Sequence, residues 1–223
     1  MPRPEIMNEF FDRRACGYDD HMRQTLAEGF DGFYASVVDP VEPTTEPIRV
    51  LDLGVGTGLE LAGIWKRAPR AQITGIDVSQ KMLAYLEQKY PQEEERLVLV
   101  QADYLVHPLS DGWDYIISVM SLHHLTPASK REFYGKIQRA LKPQGRYIEG
   151  DYVVSLAEER RLLAEFSRSQ LAQAEGRYHV DLPLSTVTQE RLLKEAGFFE
   201  VRWIWQLGEA AVLVAETRES LNP

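Results

Sequence analysis

The chain has 223 residues, of which 44% are hydrophobic and 26% are charged, and its formal net charge is −9 at pH 7. This size and composition are typical of one globular domain with a modest appendage. A strongly acidic surface repels phosphate backbones, so nucleic acid is disfavoured as a partner. Cys16 is the single cysteine, which excludes an internal disulfide and favours a reduced, cytoplasmic setting.

The first residues and the longest apolar runs bear on secretion and membranes. Met1-Pro2-Arg3-Pro4-Glu5 lacks the apolar core of a signal peptide, and the sequence has no run of about 18 apolar residues. We therefore expect a soluble protein that is neither secreted nor membrane-spanning.

The N-terminal segment is predicted to be helical. Between Asp19 and Val38, apolar residues recur at intervals of three to four, which is the period of an amphipathic helix. The prolines of residues 39–47 then break regular structure. We predict a helical cap or lid over residues 1–46 and a second unit over residues 47–223.

Strands and helices alternate through the middle of the chain. The predicted strands are Arg49–Leu53, Gln72–Asp77, Leu97–Gln101, Tyr115–Val119 and Arg146–Val153. Ser79 and Thr126-Pro127 mark the starts of two intervening helices. Because parallel strands need long crossover connections, this alternation predicts an open, doubly wound parallel sheet.

The C-terminal part departs from that alternation. Ser155 and Glu158 form a capping box for a helix to about Glu175, within a helical insertion at about 155–183. Strands at Phe199–Leu207 and Ala210–Thr217 are joined by a tight turn and must be antiparallel. The predicted fold is α/β and doubly wound, with a mostly parallel seven-stranded sheet, an antiparallel C-terminal hairpin strand and an N-terminal helical cap.

The glycine-rich segment after the first strand carries the most information. It reads Asp52-Leu53-Gly54-Val55-Gly56-Thr57-Gly58 and opens a helix. Glycines allow the backbone to approach a ligand closely, although a plain turn is an alternative. The dinucleotide fingerprint needs its third glycine at Leu59, so a nicotinamide oxidoreductase is disfavoured.

The series from Asp52 to Gly58 resembles motif I of the class I S-adenosylmethionine-dependent methyltransferases, D/E-x-G-x-G-x-G. Later segments are similar to that family in the same order, and the resemblance covers about Arg49 to Thr217. They are residues 75–79, 102–104, 113–125 and 192–198.

The resemblance implies a cofactor, S-adenosylmethionine, with S-adenosylhomocysteine as product. Asp77 is expected to accept hydrogen bonds from both ribose hydroxyls, which suits an acceptor-only carboxylate, and Asp103 to bind the adenine amino group. Alternatively, Asp77 caps the next helix, Asp103 is a surface residue and Met82 belongs to the core. The full set of expected cofactor-binding residues is Asp52, Gly54, Gly56, Gly58, Asp77, Val78, Met82, Ala102, Asp103, Tyr104, Val119 and Ser121.

Three residues are candidates for a direct part in the reaction. The methyl group of the sulfonium is already activated, so alignment and exclusion of water are the main requirements. His123, near the end of the fourth strand, is the candidate general base for an amine or phenol, or else it only fixes its loop. Tyr18 resembles the family's N-terminal lid tyrosine, or else it seats the first helix. Tyr152, at the end of the fifth strand, is the third candidate and is expected to line the acceptor pocket, as is His179 in the insertion.

No metal site is predicted from the sequence. Adjacent residues point in different directions, which makes His123 and His124 a poor pair of metal ligands. No Cys/His cluster has the spacing of a structural zinc site.

The sequence thus predicts methyl transfer to an O or N atom of a small molecule by in-line displacement. The fourth-strand segment lacks the Asn/Asp-Pro-Pro-Tyr/Phe element that resembles amino-methylating enzymes of nucleic acid. Two alternatives stay open: a noncatalytic S-adenosylmethionine-binding sensor, and a synthase of a modified S-adenosylmethionine for tRNA modification, which residues 203–208 loosely resemble. The sequence leaves the oligomeric state open, and a homodimer is one of the alternatives. We expect the lid and the insertion to become ordered when cofactor binds.

Overall fold

The structure, a computed structural model, describes residues 5–169, 171 and 177–218. Its strands are β1 (Arg49–Leu53), β2 (Gln72–Asp77), β3 (Leu97–Gln101), β4 (Trp113–Val119), β5 (Leu141–Tyr152), β6 (Glu200–Leu207) and β7 (Ala210–Glu216). They form one seven-stranded sheet in the order β3-β2-β1-β4-β5-β7-β6. β1 to β5 pair in parallel, whereas β7 is antiparallel to both β5 and β6. The predicted fold is confirmed.

The strand order reverses between β1 and β4. From β1 the chain adds β2 and β3 on one side, and it then returns to add β4 and β5 on the other. In open α/β sheets, ligands bind beyond the carboxyl ends of the strands at this reversal. The loops after β1 and β4 therefore define the expected binding crevice.

Helices cover both faces of the sheet, because alternate side chains of each strand point to opposite faces. The helices after β1 are α4 (Leu61–Arg67), α5 (Gln80–Lys89), α6 (Pro127–Ala140), α7 (Leu156–Arg168) and α8 (Thr186–Glu195), and the N-terminal cap comprises α1 (Met7–Arg14), α2 (Tyr18–Leu26) and α3 (Phe30–Val38). Val50 of β1 belongs to the apolar core under α3 and α4, whereas Leu51 belongs to the core under α6 and α8. Among the described residues, no helix combines the length and apolar character needed to cross a membrane.

The predicted helix caps are present. The hydroxyls of Ser79, Thr126 and Ser155 accept backbone N–H bonds from Met82, Ser129 and Glu158, respectively. The capping box is only half formed, because the Glu158 carboxylate pairs with Arg161. α7 ends at Arg168, earlier than the predicted end at about Glu175, which lies outside the described residues.

The cap differs from the single N-terminal helix expected from the apolar period. Its three helices are separated by 3-10 turns at Ala15–Gly17 and Ala27–Gly29. The second break follows from close packing, since a Cβ at Gly29 would lie 2.9 Å from the Leu207 side chain. The chain bends there against the C-terminal hairpin, and α3 continues across β5 and β7.

Candidate functional site

A pocket opens at the carboxyl ends of β1, β2 and β4, under the N-terminal cap. The predicted site residues on its wall are Tyr18, Gly54, Gly56, Asp77, Val78, Met82, Asp103, Tyr104 and Ser121. The wall also contains residues that the sequence did not single out, namely Met7, Phe11, Leu105, Met120, His124 and Leu125. The predicted adenosyl-binding segments therefore share one pocket.

The glycine loop needs its glycines for two separate reasons. Gly54 has φ 76°, a backbone conformation that residues with a side chain rarely adopt. A Cβ at this position would also lie 2.1 Å from the Ser121 hydroxyl, so there is no space for a side chain. Gly56 has φ 51°, but a Cβ there would make only an ordinary contact, at 3.9 Å, with the Gly54 carbonyl oxygen. Gly54 thus fixes the loop against the segment after β4, while Gly56 leaves the pocket free.

Asp77 connects the end of β2 to this loop. Its side chain is buried; Oδ2 accepts the Gly56 N–H at 2.9 Å and Oδ1 accepts the Ser79 N–H at 2.8 Å. Burial raises the pKa of Asp77 to about 6, although both backbone N–H groups oppose the shift. Each oxygen of the ionised group keeps acceptor capacity for a ligand hydroxyl.

Asp103, Tyr104 and Ser121 form the opposite wall. Asp103 is exposed, and its Oδ1 accepts the Leu105 N–H at 2.9 Å, which shapes the loop after β3. The hydroxyl of Tyr104 lies 3.0 Å from Oγ of Ser121. These contacts hold the loops after β3 and β4 together at the pocket.

Six predicted site residues lie off the pocket wall: Asp52, Gly58, Ala102, Val119, His123 and Tyr152. A Cβ on Gly58 would meet side chains of α4 and α5. Ala102 lines a neighbouring surface depression with Val78 and Asp103. Val119 belongs to the core.

Asp52 is fully buried two residues before Gly54. No N–H or hydroxyl group among the described residues donates to either carboxyl oxygen or to Oε1 of buried Glu60, and the two carboxyl groups interact with each other. Burial, followed by repulsion from Glu60, raises the pKa of Asp52 well above its usual value. Burial also raises the pKa of Glu60 to about 7. The base of the glycine loop thus holds buried acceptor oxygens that a cationic or N–H group could satisfy.

His123 lies in a 3-10 turn, Leu122–His124, that follows β4. Its Nδ1 is 2.5 Å from Oδ1 of Asp151, and its Nε2 is 3.5 Å from Oδ1 of Asp181. Burial lowers the pKa of His123, but the carboxylates of Asp151 and Asp181 outweigh burial and raise the pKa to about 9. Both nitrogens therefore face carboxylates instead of the pocket.

His124 is the histidine on the pocket wall. Its Nδ1 lies 3.1 Å from the Val180 carbonyl oxygen and 3.2 Å from Oδ1 of Asp181. Its Nε2 is buried and has no hydrogen-bond partner among the described residues. The sequence alone does not show whether His123 or His124 lines the pocket, because the conformation of the turn after β4 decides which side chain reaches the wall.

The expectation that the two histidine side chains diverge is wrong. Their ring centroids are 4.0 Å apart, and both rings approach Asp181. The physical reason is the 3-10 turn, which lacks the alternating side-chain directions of a strand. His179 joins them, with Nε2 3.6 Å from the same Asp181 oxygen and its ring stacked on Phe10 of α1.

A larger groove of about 850 Å³ lies on the other side of this cluster. Its walls come from residues 25–29 of the cap, from Tyr152 and Asp181, and from the β6–β7 turn. The Tyr152 ring is 5.1 Å from the His123 ring, and Asp181 contacts His123 as described. The histidines therefore lie between the pocket, which His124 lines, and the groove, which Asp181 lines.

The cap closes the pocket through polar contacts as well as aromatic ones. The Thr57 hydroxyl donates to Asp19 at 2.5 Å, and Lys89 pairs with the same carboxylate at 2.8 Å. The Ser79 hydroxyl donates to Asp12 at 2.6 Å. The space left in the pocket is about 60 Å³, whereas ligand pockets typically have about 300–1,000 Å³. The cap residues Met7, Phe11 and Tyr18 form part of the pocket wall.

Comparisons with known proteins agree with this arrangement. The family model described as a methyltransferase domain matches residues 50–145, which contain the glycine loop, Asp77 and the turn after β4. A demethylmenaquinone methyltransferase from Chlorobaculum parvum is 28% identical over 97% of this chain and 93% of its own length. A carboxy-S-adenosyl-L-methionine synthase from Nautilia profundicola is 22% identical over 93% of both chains.

Solved structures share the fold. The complex of DhpI with S-adenosylhomocysteine superposes with a TM-score of 0.69 at 16% identity, over 94% of both chains. Other solved chains with this fold are longer, and this chain spans 60% of one and 64% of another.

The reversed strand order and the antiparallel hairpin define a Rossmann-like α/β fold, which the solved DhpI structure shares. The family model places a methyltransferase domain over residues 50–145, and the similarity to a demethylmenaquinone methyltransferase along nearly the whole chain agrees with S-adenosylmethionine-dependent methyl transfer.

Proposed function

We propose that this methyltransferase transfers a methyl group from S-adenosylmethionine to an O or N atom of a small molecule by in-line displacement. The observation that carries the proposal is the bond between the Asp77 carboxylate and the Gly56 N–H on the wall of one pocket. It joins the loop after β1 to the end of β2 and leaves acceptor capacity on both Asp77 oxygens.

The pocket residues fit an adenosyl ligand. Asp77 binds the ribose hydroxyls, Asp103 binds the adenine amino group through the oxygen that Leu105 does not use, and Val78 and Met82 contact the base. The methionine end lies over the glycine loop, where Asp52 and Glu60 provide buried acceptors near its ammonium group. Bound S-adenosylmethionine supplies the activated methyl group, and the chain supplies alignment and exclusion of water.

The cap and the groove provide for the acceptor. Residues 1–46 act as the lid, with Tyr18 against the bound cofactor and Asp12 and Asp19 as its latches. The acceptor enters from the groove and reaches the transferring methyl beside Tyr152 and His123, within reach of the insertion at about 155–183. The relative from Chlorobaculum parvum is named after demethylmenaquinone, which is a small molecule. That name supports a small-molecule acceptor.

We also propose a cytoplasmic location, with which the exposed free thiol of Cys16 agrees.

A screen of small-molecule acceptors with methyl-labelled S-adenosylmethionine tests the function. We expect stoichiometric S-adenosylhomocysteine release and label transfer with one acceptor class. Tight cofactor binding without release of S-adenosylhomocysteine across amine, phenol and hydroxyl acceptors would favour the noncatalytic sensor instead.

A second candidate function is synthesis of a modified S-adenosylmethionine, favoured by the relative from Nautilia profundicola, which matches along nearly the whole chain. Mass spectrometry of the cofactor that copurifies with the protein separates the two functions. An unmodified mass supports methyl transfer, and a carboxylated cofactor supports the synthase.

A further inference from the structure

Three histidines surround one carboxylate oxygen between the pocket and the groove. Nδ1 of His124, Nε2 of His123 and Nε2 of His179 lie 3.2, 3.5 and 3.6 Å from Oδ1 of Asp181. The candidate ligand atoms of His123, His124 and Asp181 all lie within 4.8 Å of one another. These residues come from two separate loops, so only the tertiary fold brings them together.

The separations suit a four-coordinate metal ion. Zinc bonds of about 2.0–2.2 Å to nitrogen and oxygen, at tetrahedral angles, place neighbouring ligand atoms roughly 3.3 Å apart. Nε2 of His123 and Nδ1 of His124 lie 3.5 and 3.2 Å from Oδ1 of Asp181, close to that value, and the three candidate ligand atoms lie within 4.8 Å of one another. Imidazole donors favour zinc and neighbouring transition metals, whereas magnesium and calcium prefer oxygen donors throughout.

The surroundings of His123 resemble the support that metal-binding histidines receive. Asp151 holds its Nδ1 at 2.5 Å and accepts its backbone N–H at 2.9 Å. A carboxylate on one ring nitrogen fixes the orientation of the other and strengthens it as a ligand. Here the second nitrogen faces Asp181. The two negative charges of Asp151 and Asp181 also balance the two positive charges of a divalent ion.

We propose that His123, His124 and Asp181 bind a divalent transition-metal ion of the zinc type. Each histidine nitrogen releases its proton to solvent when it becomes a ligand. For His124, the ion replaces the proton that now lies between Nδ1 and the oxygens of Val180 and Asp181. Three protein ligands leave one coordination position for a water molecule or a substrate atom.

The position of the ion gives it a chemical use. His124 lines the cofactor pocket and Asp181 lines the groove, so the ion lies where an acceptor from the groove meets the cofactor. A metal-bound hydroxyl or amine loses its proton more readily, and it is also held in place. This use depends on the proposed function, whereas metal binding itself does not.

Titration of the chelator-treated full-length protein with Co²⁺ and Zn²⁺ tests the site, without cofactor or acceptor. We expect one ion per chain by calorimetry, and visible absorption typical of four-coordinate, nitrogen-ligated Co²⁺ that Zn²⁺ abolishes. Asp181→Asn should weaken the affinity at least tenfold, and its 57% exposed side chain makes the substitution tolerable for folding. The matched controls His21→Gln and Asp111→Asn, at exposed residues outside the cluster, should bind like the parent protein.

Asp151→Asn should keep the stoichiometry and weaken the affinity roughly 10- to 100-fold, as loss of an outer carboxylate does. Absence of stoichiometric binding would overturn the proposal. So would a parent-like affinity in Asp181→Asn, because the ion would then be bound elsewhere. Metal binding in a protein that transfers no methyl group would leave this site intact and refute only the proposed function.

Discussion

The two halves of the site are built differently. In the pocket half, Gly54, Gly56 and Asp77 follow neighbouring strands, and backbone N–H groups hold their geometry. In the histidine half, His123 and His124 depend on Asp151 and Asp181, which other strands and loops supply. Side-chain contacts to backbone N–H groups therefore organise the first half, whereas contacts between charged side chains organise the second. Substitution of Asp77 should consequently affect ligand binding, whereas substitution of Asp151 should affect stability.

The largest expected effect separates the two carboxylates beside His123. Asp151→Ala removes the buried partner of a buried histidine and should lower the free energy of unfolding by about 3–5 kcal/mol. Asp181→Ala removes a half-exposed partner and should cost about 1 kcal/mol or less. Denaturant unfolding of chelator-treated protein measures both. Equal losses would mean that burial does not distinguish the two contacts.

The next prediction concerns the ribose-binding role of Asp77. Asp77→Ala should weaken S-adenosylmethionine binding by one to two orders of magnitude, because a charged hydrogen-bonding partner contributes about 1.5–3 kcal/mol. Calorimetry measures the affinity, and Asp111→Ala, at an exposed position outside the pocket, is the matched control. Unaltered affinity in a folded Asp77→Ala protein would refute the ribose assignment.

Alanine substitutions at three glycines separate the effect of backbone strain from the effect of side-chain crowding. Gly54→Ala meets both a positive φ and the Ser121 hydroxyl, Gly208→Ala meets only a positive φ of 57°, and Gly17→Ala meets neither. Backbone strain of this type costs about 1–3 kcal/mol, so stability should fall most for Gly54, less for Gly208 and least for Gly17. Thermal unfolding reports the order; a harmless Gly54→Ala would contradict the described loop.

The pH dependence of cofactor binding follows from the Asp77 pKa of about 6. Below pH 6 the carboxyl group is protonated and offers less acceptor capacity, so affinity should fall about tenfold per pH unit. The pKa of Asp77 is about 6 in the native state and about 4 in the unfolded state, so between these pH values the native state binds more protons. The free energy of unfolding should therefore decrease as the pH rises from about 4 to 6. An Asp77→Asn protein should lose this pH dependence; if it keeps it, another group is responsible.

The smallest expected effect concerns the lid. Asp19→Asn weakens the contacts with Thr57 and Lys89 and should increase protease cleavage within residues 5–26 a few-fold. Asp20→Asn, at the exposed neighbouring position, is the control. Added cofactor should protect both proteins. Identical cleavage with and without cofactor would count against lid closure.

The succession of strands and helices along the chain and the nucleotide-type pocket could be predicted from the sequence alone. Apolar runs, helix caps at Ser79 and Thr126, and glycines at fixed spacing act through the backbone over a few residues. Such local effects do not depend on the remote packing of the chain. The helix break at Ala27–Gly29 was not predicted, because Gly29 packs against the remote side chain of Leu207.

Only the tertiary structure decided which polar side chains reach the site and in what state. It placed Asp52 beside Glu60 beneath the glycine loop, and it turned His124, not His123, to the pocket wall. It also brought Asp151 and Asp181 to the two nitrogens of His123 from 28 and 58 residues away along the chain. Side-chain direction in a short turn and the burial of a charge depend on what packs around them, which one segment of sequence does not specify.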